Sequence, residues 1–230
     1  MAGIANSFKN SSDIHLWLIE HRNDAPNRFL SEPELARKQA IRREAKRHVF
    51  SLSRSALRQI LATYLGLDPQ EVPIAVMPNG KPFLSSEKSD IYFNLSHTGG
   101  LTLVGVASGR QIGVDVEKLD PRRPWQKIAK RFYSEQEIAF LEGGKMEDFF
   151  QLWTLKEAIL KVRGEGLSRP LRDFSFSLDQ PFPQKITDRG MSFLISPLHT
   201  GGNYSAAVAV EKSDDATFTV KKWPNFDPLA

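Results

Sequence analysis

Cysteine is absent from this 230-residue chain, and the absence closes several routes at once. No disulfide can staple the fold, no thiolate can hold zinc, and no cysteine nucleophile can carry a covalent step. A chain without disulfides suits an intracellular, cytoplasmic protein. Long apolar runs are missing too. Residues 1–12 lack the apolar segment of a signal peptide, and no stretch reaches the roughly 20 apolar residues that span a bilayer. Negative charge is scarce in one region. Between Arg37 and Arg58 eight lysines and arginines face a single acid, Glu44. The net charge of +4 is modest, so this clustering is the signal. It suits a phosphate-bearing partner, with a solvated helix face as the plain alternative.

The hydrophobic fraction of 40% is that of a globular chain, and the length allows one large domain or two small ones. Asp13 to Glu20 reads as a strand. Ser31, Pro33 and Glu34 open a helix, and a second helix is expected over about Ser51 to Leu65, ended by Gly66. Asn79-Gly80 marks a turn. Ile91 to Leu95 and Leu101 to Ala107 read as a hairpin with Ser96 to Gly100 at its tip. Pro121 and Pro124 lie in an expected loop. Ser134 and Glu137 start a short helix that Gly143-Gly144 ends. A longer helix, about Glu147 to Val162, carries Leu152, Leu155, Ile159 and Val162 on one stripe, with Gly164 and Gly166 beyond it. Phe174 to Leu178, Met191 to Ile195 and Tyr204 to Glu211 read as strands, and the tail with Pro224 and Pro228 as irregular. The runs Val104 to Ala107 and Ala206 to Ala209 echo one another, which suggests two similar α+β halves with a cleft between them.

The organising stretch is Ile112 to Lys118. In a strand, Val114 and Val116 share one face, while Asp115 and Glu117 share the other. Two neighbouring carboxylates repel unless a cation such as Mg²⁺ holds them. Glu157, on the long helix, can supply a third. Each signal alone has an ordinary reading: a solvated strand face, a common Lys-Glu pair, a structural Ser-His turn.

Their order is more specific. Gly80-Lys81-Pro82 is followed by Phe93 to Thr98, Ile112 to Glu117, Arg131 to Ser134, and Trp153 to Ala158 with Lys161. This series, within a span from about Ser31 to about Ser175, resembles the Sfp-type 4′-phosphopantetheinyl transferases. The resemblance implies an α+β pseudo-dimer with its site in the cleft. Residues 1–111 would form a nucleotide-binding half, and residues 112–230 a half that holds the metal and docks a carrier protein. It implies transfer of 4′-phosphopantetheine from coenzyme A to a serine of an apo acyl or peptidyl carrier protein, releasing adenosine 3′,5′-bisphosphate.

Phosphoryl transfer of this kind needs charge neutralisation and alignment above all. Asp115, Glu117 and Glu157 are the expected Mg²⁺ ligands. Glu157 is either the base that takes the serine proton or chiefly a ligand, with a water on the metal as base. Lys161 would hold the leaving phosphate, and Lys156 would either do the same or lie exposed. By the resemblance, Ser96 and His97 contact the phosphates of coenzyme A and Lys81 the nucleotide end. Arg47 and Arg54 are candidates for the 3′-phosphate, although Val49 stands where family members commonly have an arginine. No membrane or nucleic-acid partner is expected, and one chain with two halves suggests a monomer. A basic nucleic-acid binder, a non-catalytic carrier-interaction module and another metal enzyme acting on a nucleotide pyrophosphate are the rival readings.

Overall fold

The computed structural model describes residues 8, 12–21, 28–86, 89–164, 169–176, 178–211 and 216–223. Strand β1 (Asp13–Glu20) is apolar on both faces because it is covered on both. Trp17 and Ile19 join a core built with the long helix α2 (Glu44–Leu65). Ile14, Leu16 and Leu18 join a second core, built between two sheets. Before α2 lies α1 (Glu32–Ala40), which buries none of its own residues. Its Glu34 carboxylate accepts the Ser31 backbone N–H at 3.0 Å, one arm of the expected capping box. Helix α2 starts at Glu44 rather than Ser51 and ends at Gly66, whose φ of +68° is one that glycine adopts without strain.

A short ribbon, β2 (Ile74–Val76) and β3 (Pro82–Leu84), frames the Asn79-Gly80 turn. The hairpin β4 (Ile91–Thr98) and β5 (Leu101–Ser108) turns only at Gly99-Gly100. Ser96 and His97 therefore belong to a strand, not to the hairpin tip. After β6 (Ile112–Lys118), the expected loop contains a helix, α3 (Trp125–Phe132), followed by α4 (Glu135–Glu142) and α5 (Met146–Arg163). The chain closes with β7 (Gln184–Asp188), β8 (Met191–Leu198), β9 (Tyr204–Glu211) and β10 (Thr217–Trp223). Phe174 to Phe176 is not a strand. The Phe174 carbonyl accepts from Lys156 Nζ instead of from a neighbouring strand. Ser177, Gly166, Pro224 and Pro228 lie outside the described residues.

The first sheet has the order β10-β1-β5-β4 and the second β6-β9-β8-β7. In each, a first strand pairs antiparallel with the last strand of a closing hairpin (β1 with β5, β6 with β9), and a long helix intervenes in sequence. The two echoing runs fall on β5 and β9, which hold the same place in the two sheets. Strand β10 departs from a division at residues 111 and 112, because it pairs parallel to β1 in the first sheet. Residues of both sheets, among them Leu103, Val114, Val116 and Val208, form the shared core between them. No helix among the described residues is long and apolar enough to cross a membrane.

Candidate active site

Strand β6 sorts its side chains as the alternation predicts. Val114 and Val116 lie in the core between the sheets, and Asp115, 5% exposed, points the other way, toward α5. Helix α5 comes unusually close because residue 113 is glycine. A Cβ there would lie 2.0 Å from the Ala158 carbonyl oxygen and 2.6 Å from the Val162 nitrogen. The apolar stripe of α5 is buried, which leaves Glu157 and Lys161, one turn apart, beside the carboxylate strand.

Lys161 Nζ donates to Asp115 Oδ1 at 2.7 Å and to Ser96 Oγ at 2.8 Å, and Ser96 Oγ donates to the same Asp115 oxygen at 2.8 Å. Ser96 arrives on β4, which runs beside β6. Side chains join these strands: Asn94 Oδ1 accepts from the Val114 N–H at 2.9 Å, and Thr98 Oγ1 from the Lys118 N–H at 3.2 Å. Three elements thus bring Ser96, Asp115 and Lys161 into mutual contact.

The other two carboxylates lie within electrostatic reach. Burial first, then the Asp115 charge, pushes the Glu157 pKa up to about 7, against the pull of Lys161. Glu117 is likewise raised by burial and by Asp115. Arg123, Lys161 and a hydrogen bond from Trp153 oppose that rise. Arg123 Nη1 lies 3.6 Å from Glu117 Oε2, and its guanidinium sits over the rings of Phe150 and Trp153 at 5.6 and 5.9 Å.

Among the described residues, no three acidic or histidine side chains converge into a ready-made metal cage. Asp115 is turned to Lys161 and Glu117 to Arg123. Two buried oxygens, Asp115 Oδ2 and Glu157 Oε1, have no hydrogen-bond partner. An unmet buried acceptor costs about 1–3 kcal/mol, more when charged. Hard carboxylate oxygens left unmet at a site of excess negative charge fit Mg²⁺.

From this cluster a basic track runs toward α2. Desolvation, then Lys161 and Arg54, lowers the pKa of His97. Burial, then His97 and His48, lowers His21 to about 4. Arg54 is 7% exposed and its pKa is lowered by burial, despite Glu34. Arg47 Nε, His48 Nε2 and Arg54 Nη1 are buried without partners. Arg58 differs. It is buried against Glu34 and the carbonyls of Pro69, Gln70 and Val72, so its role is structural.

Lys81 reaches across to α5, where its Nζ donates to the Lys161 carbonyl at 2.6 Å. Asn79 Nδ2 donates to the Gly164 carbonyl at 3.0 Å. Both satisfy carbonyls that the helix end leaves open.

Lys156 requires correction. It is 0% exposed, so it is not a surface lysine. Its Nζ lies 2.8 Å from Glu137 Oε1 and donates to the carbonyls of Leu171 and Phe174. Its ammonium is turned into the core, away from Asp115 and Lys161. Its spacing from Leu152, one turn earlier, already put it on the buried stripe. Tyr133, within the Arg131 to Ser134 stretch of the series, is core at 3% exposure.

Sequence reasoning gave no role to Arg123, Asn94 or Gly113. Arg123 had no local signal. Gly113 did, as the small residue beside the carboxylates.

Residues 29–109 match a family model described as 4′-phosphopantetheinyl transferase, N-terminal. Residues 111–209 match that of the 4′-phosphopantetheinyl transferase superfamily. The chain is 35% identical over 211 residues to the 4′-phosphopantetheinyl transferase HetI of Nostoc sp., covering 87% of this chain and 88% of that one. It is 29% identical over 167 residues to the transferase Sfp of Bacillus subtilis, covering 71% and 73%. A phosphopantetheinyl transferase of Thraustochytrium sp. is 29% identical over 203 residues, covering 79% and 70%. Likeness of this extent, with family models matching both halves, makes the chain an enzyme of the 4′-phosphopantetheinyl transferase family.

Proposed function

We propose that this enzyme moves 4′-phosphopantetheine from coenzyme A to a serine hydroxyl of an apo acyl or peptidyl carrier protein in the cytoplasm, as a monomeric pseudo-dimer with its site between the two halves. The observation that carries the reading is the continuity of two unmet sets of polar atoms. Carboxylate oxygens without partners stand at one end of the track, and buried side-chain nitrogens of Arg47, His48 and Arg54 without partners at the other. A ligand with two separate anionic phosphate groups, one of them bound to a cation, would satisfy both.

Asp115, Glu117 and Glu157 would hold Mg²⁺, which supplies charge neutralisation at the pyrophosphate when bound. Arg47, His48 and Arg54 would take the 3′-phosphate, and His97 and Lys161 the pyrophosphate. Lys81 would border the nucleotide. The serine oxygen forms a bond to the phosphorus that carries pantetheine, and the bond from that same phosphorus to the bridging anhydride oxygen breaks. The electron pair leaves with adenosine 3′,5′-bisphosphate, beside Lys161. The serine proton goes to Glu157, whose Oε1 has no partner within the chain.

The test is to incubate apo carrier protein with coenzyme A and Mg²⁺ and to look for added phosphopantetheine by mass spectrometry. A carrier left unmodified under these conditions, by a folded enzyme, overturns the reading. Glu157→Gln should lose turnover more than coenzyme A affinity if Glu157 is the base, and both if it is chiefly a ligand.

A further inference from the structure

Each of the two carboxylates on β6 is faced by a cation of the chain itself, and the two pairs are built differently. Lys161 holds Asp115 through hydrogen bonds at 2.7 Å and 2.8 Å that include Ser96. Arg123 stands 3.6 Å from Glu117, too far for a hydrogen bond, with the two side chains 35% and 24% exposed. Arg123 lies between β6 and α3, in a turn where its N–H bonds the Asp120 carbonyl at 3.0 Å. Its guanidinium rests on Phe150 and Trp153, so it has a seat that does not depend on Glu117. Asp120, Arg122, Arg123 and Glu117 border a cavity of about 420 Å³, which gives the guanidinium room to move.

We infer that Arg123 is a placeholder cation: it occupies Glu117 until the metal arrives, and metal binding must displace it. Arg123 thereby sets the metal affinity of the site without being a ligand. The weaker, longer pair is the one that opens, while the Lys161 pair stays closed. Once released, the guanidinium remains on the two rings at the rim of the site, where its charge faces incoming anions. This inference rests on the reading of Asp115, Glu117 and Glu157 as metal ligands.

The test is Mn²⁺ binding, followed by electron paramagnetic resonance, with and without coenzyme A and with no carrier protein present. Arg123→Gln should bind Mn²⁺ about two- to fivefold more tightly than the wild type, the scale of a partly exposed ion pair. Arg123→Lys, which keeps the charge, should restore wild-type affinity. Asp115→Ala should abolish saturable binding. Affinity that is unchanged or weaker in Arg123→Gln, with Asp115→Ala still abolishing binding, overturns the placeholder role alone. No saturable Mn²⁺ binding by the wild type under either condition overturns the ligand assignment and this inference together.

Discussion

Lys156 and Glu157 are consecutive on α5 and do opposite things. Lys156 is sealed against Glu137 and two carbonyls, and burial lowers its pKa despite that partner. Glu157 retains an unmet oxygen. Removing one member of a buried pair strands the other, at about 3–5 kcal/mol. Lys156→Ala should therefore lose stability on that scale in urea unfolding, while Lys156→Met combined with Glu137→Gln should recover much of it. An unchanged urea midpoint in Lys156→Ala would show the pair to be dispensable. The sequence motif makes both residues look functional. The elements packed over α5, Glu137 on α4 and the segment from Leu171 to Phe176, separate them. That information is non-local, whereas the alternation that pairs Asp115 with Glu117 is contained in seven residues.

At the level of elements, the decisive contact is α5 on β6. Gly113→Ala would place a methyl group against backbone atoms that cannot rotate away. Overpacking costs about 1–3 kcal/mol, and more where backbone must shift. The variant should be destabilised by at least the upper part of that range. Its turnover should fall as well, because Glu157 and Lys161 ride on the displaced helix. Thermal denaturation and transfer kinetics measure the two effects, and wild-type values in both would refute the close-contact account.

Helices with strong local signals were legible in the sequence: the capping boxes of α1 and α4, the stripe of α5 and the glycine that ends α2. Helix α3 was hidden behind Pro124, although Trp125, Ile128, Ala129 and Phe132 have helical spacing. Residues of this set pack against the core of the second half. Strand β10 was not legible because its pairing partner, β1, lies at the other end of the sequence.

For the molecule as a whole, charge on the surface and charge inside have separate consequences. On α3 and at its edge, Lys127, Lys130 and Arg131 are exposed, near the segment that carries Arg123. A small acidic carrier protein would meet them as a rim, where charges govern association more than bound-state affinity. The double change Lys127→Glu with Arg131→Glu should raise the apparent KM for carrier protein and flatten its salt dependence, leaving coenzyme A affinity nearly unchanged. If the coenzyme A constant moves instead, the carrier docks elsewhere.

Inside the first half, burial and then the Lys221 charge hold the His15 pKa at about 4, below its ordinary 6.5. Between those values the unfolded chain binds more protons than the folded one, so stability rises with pH through that window. The contribution is complete above about pH 6.5 and is lost as pH falls toward 4. Urea midpoints should drop from pH 7 to pH 4.5, and drop less in His15→Gln. Equal drops in the two proteins would remove His15 from the account.

The parallel pairing of β1 with β10 also has a consequence for how the protein is made. During translation β1 emerges early, and β5 can pair with one of its flanks while synthesis continues. The other flank waits for Thr217 to Trp223. By then every strand of the second sheet has left the ribosome. The half begun first is thus finished last, and a nascent chain stalled before β10 would present an open β1 flank, a ready template for pairing with another chain.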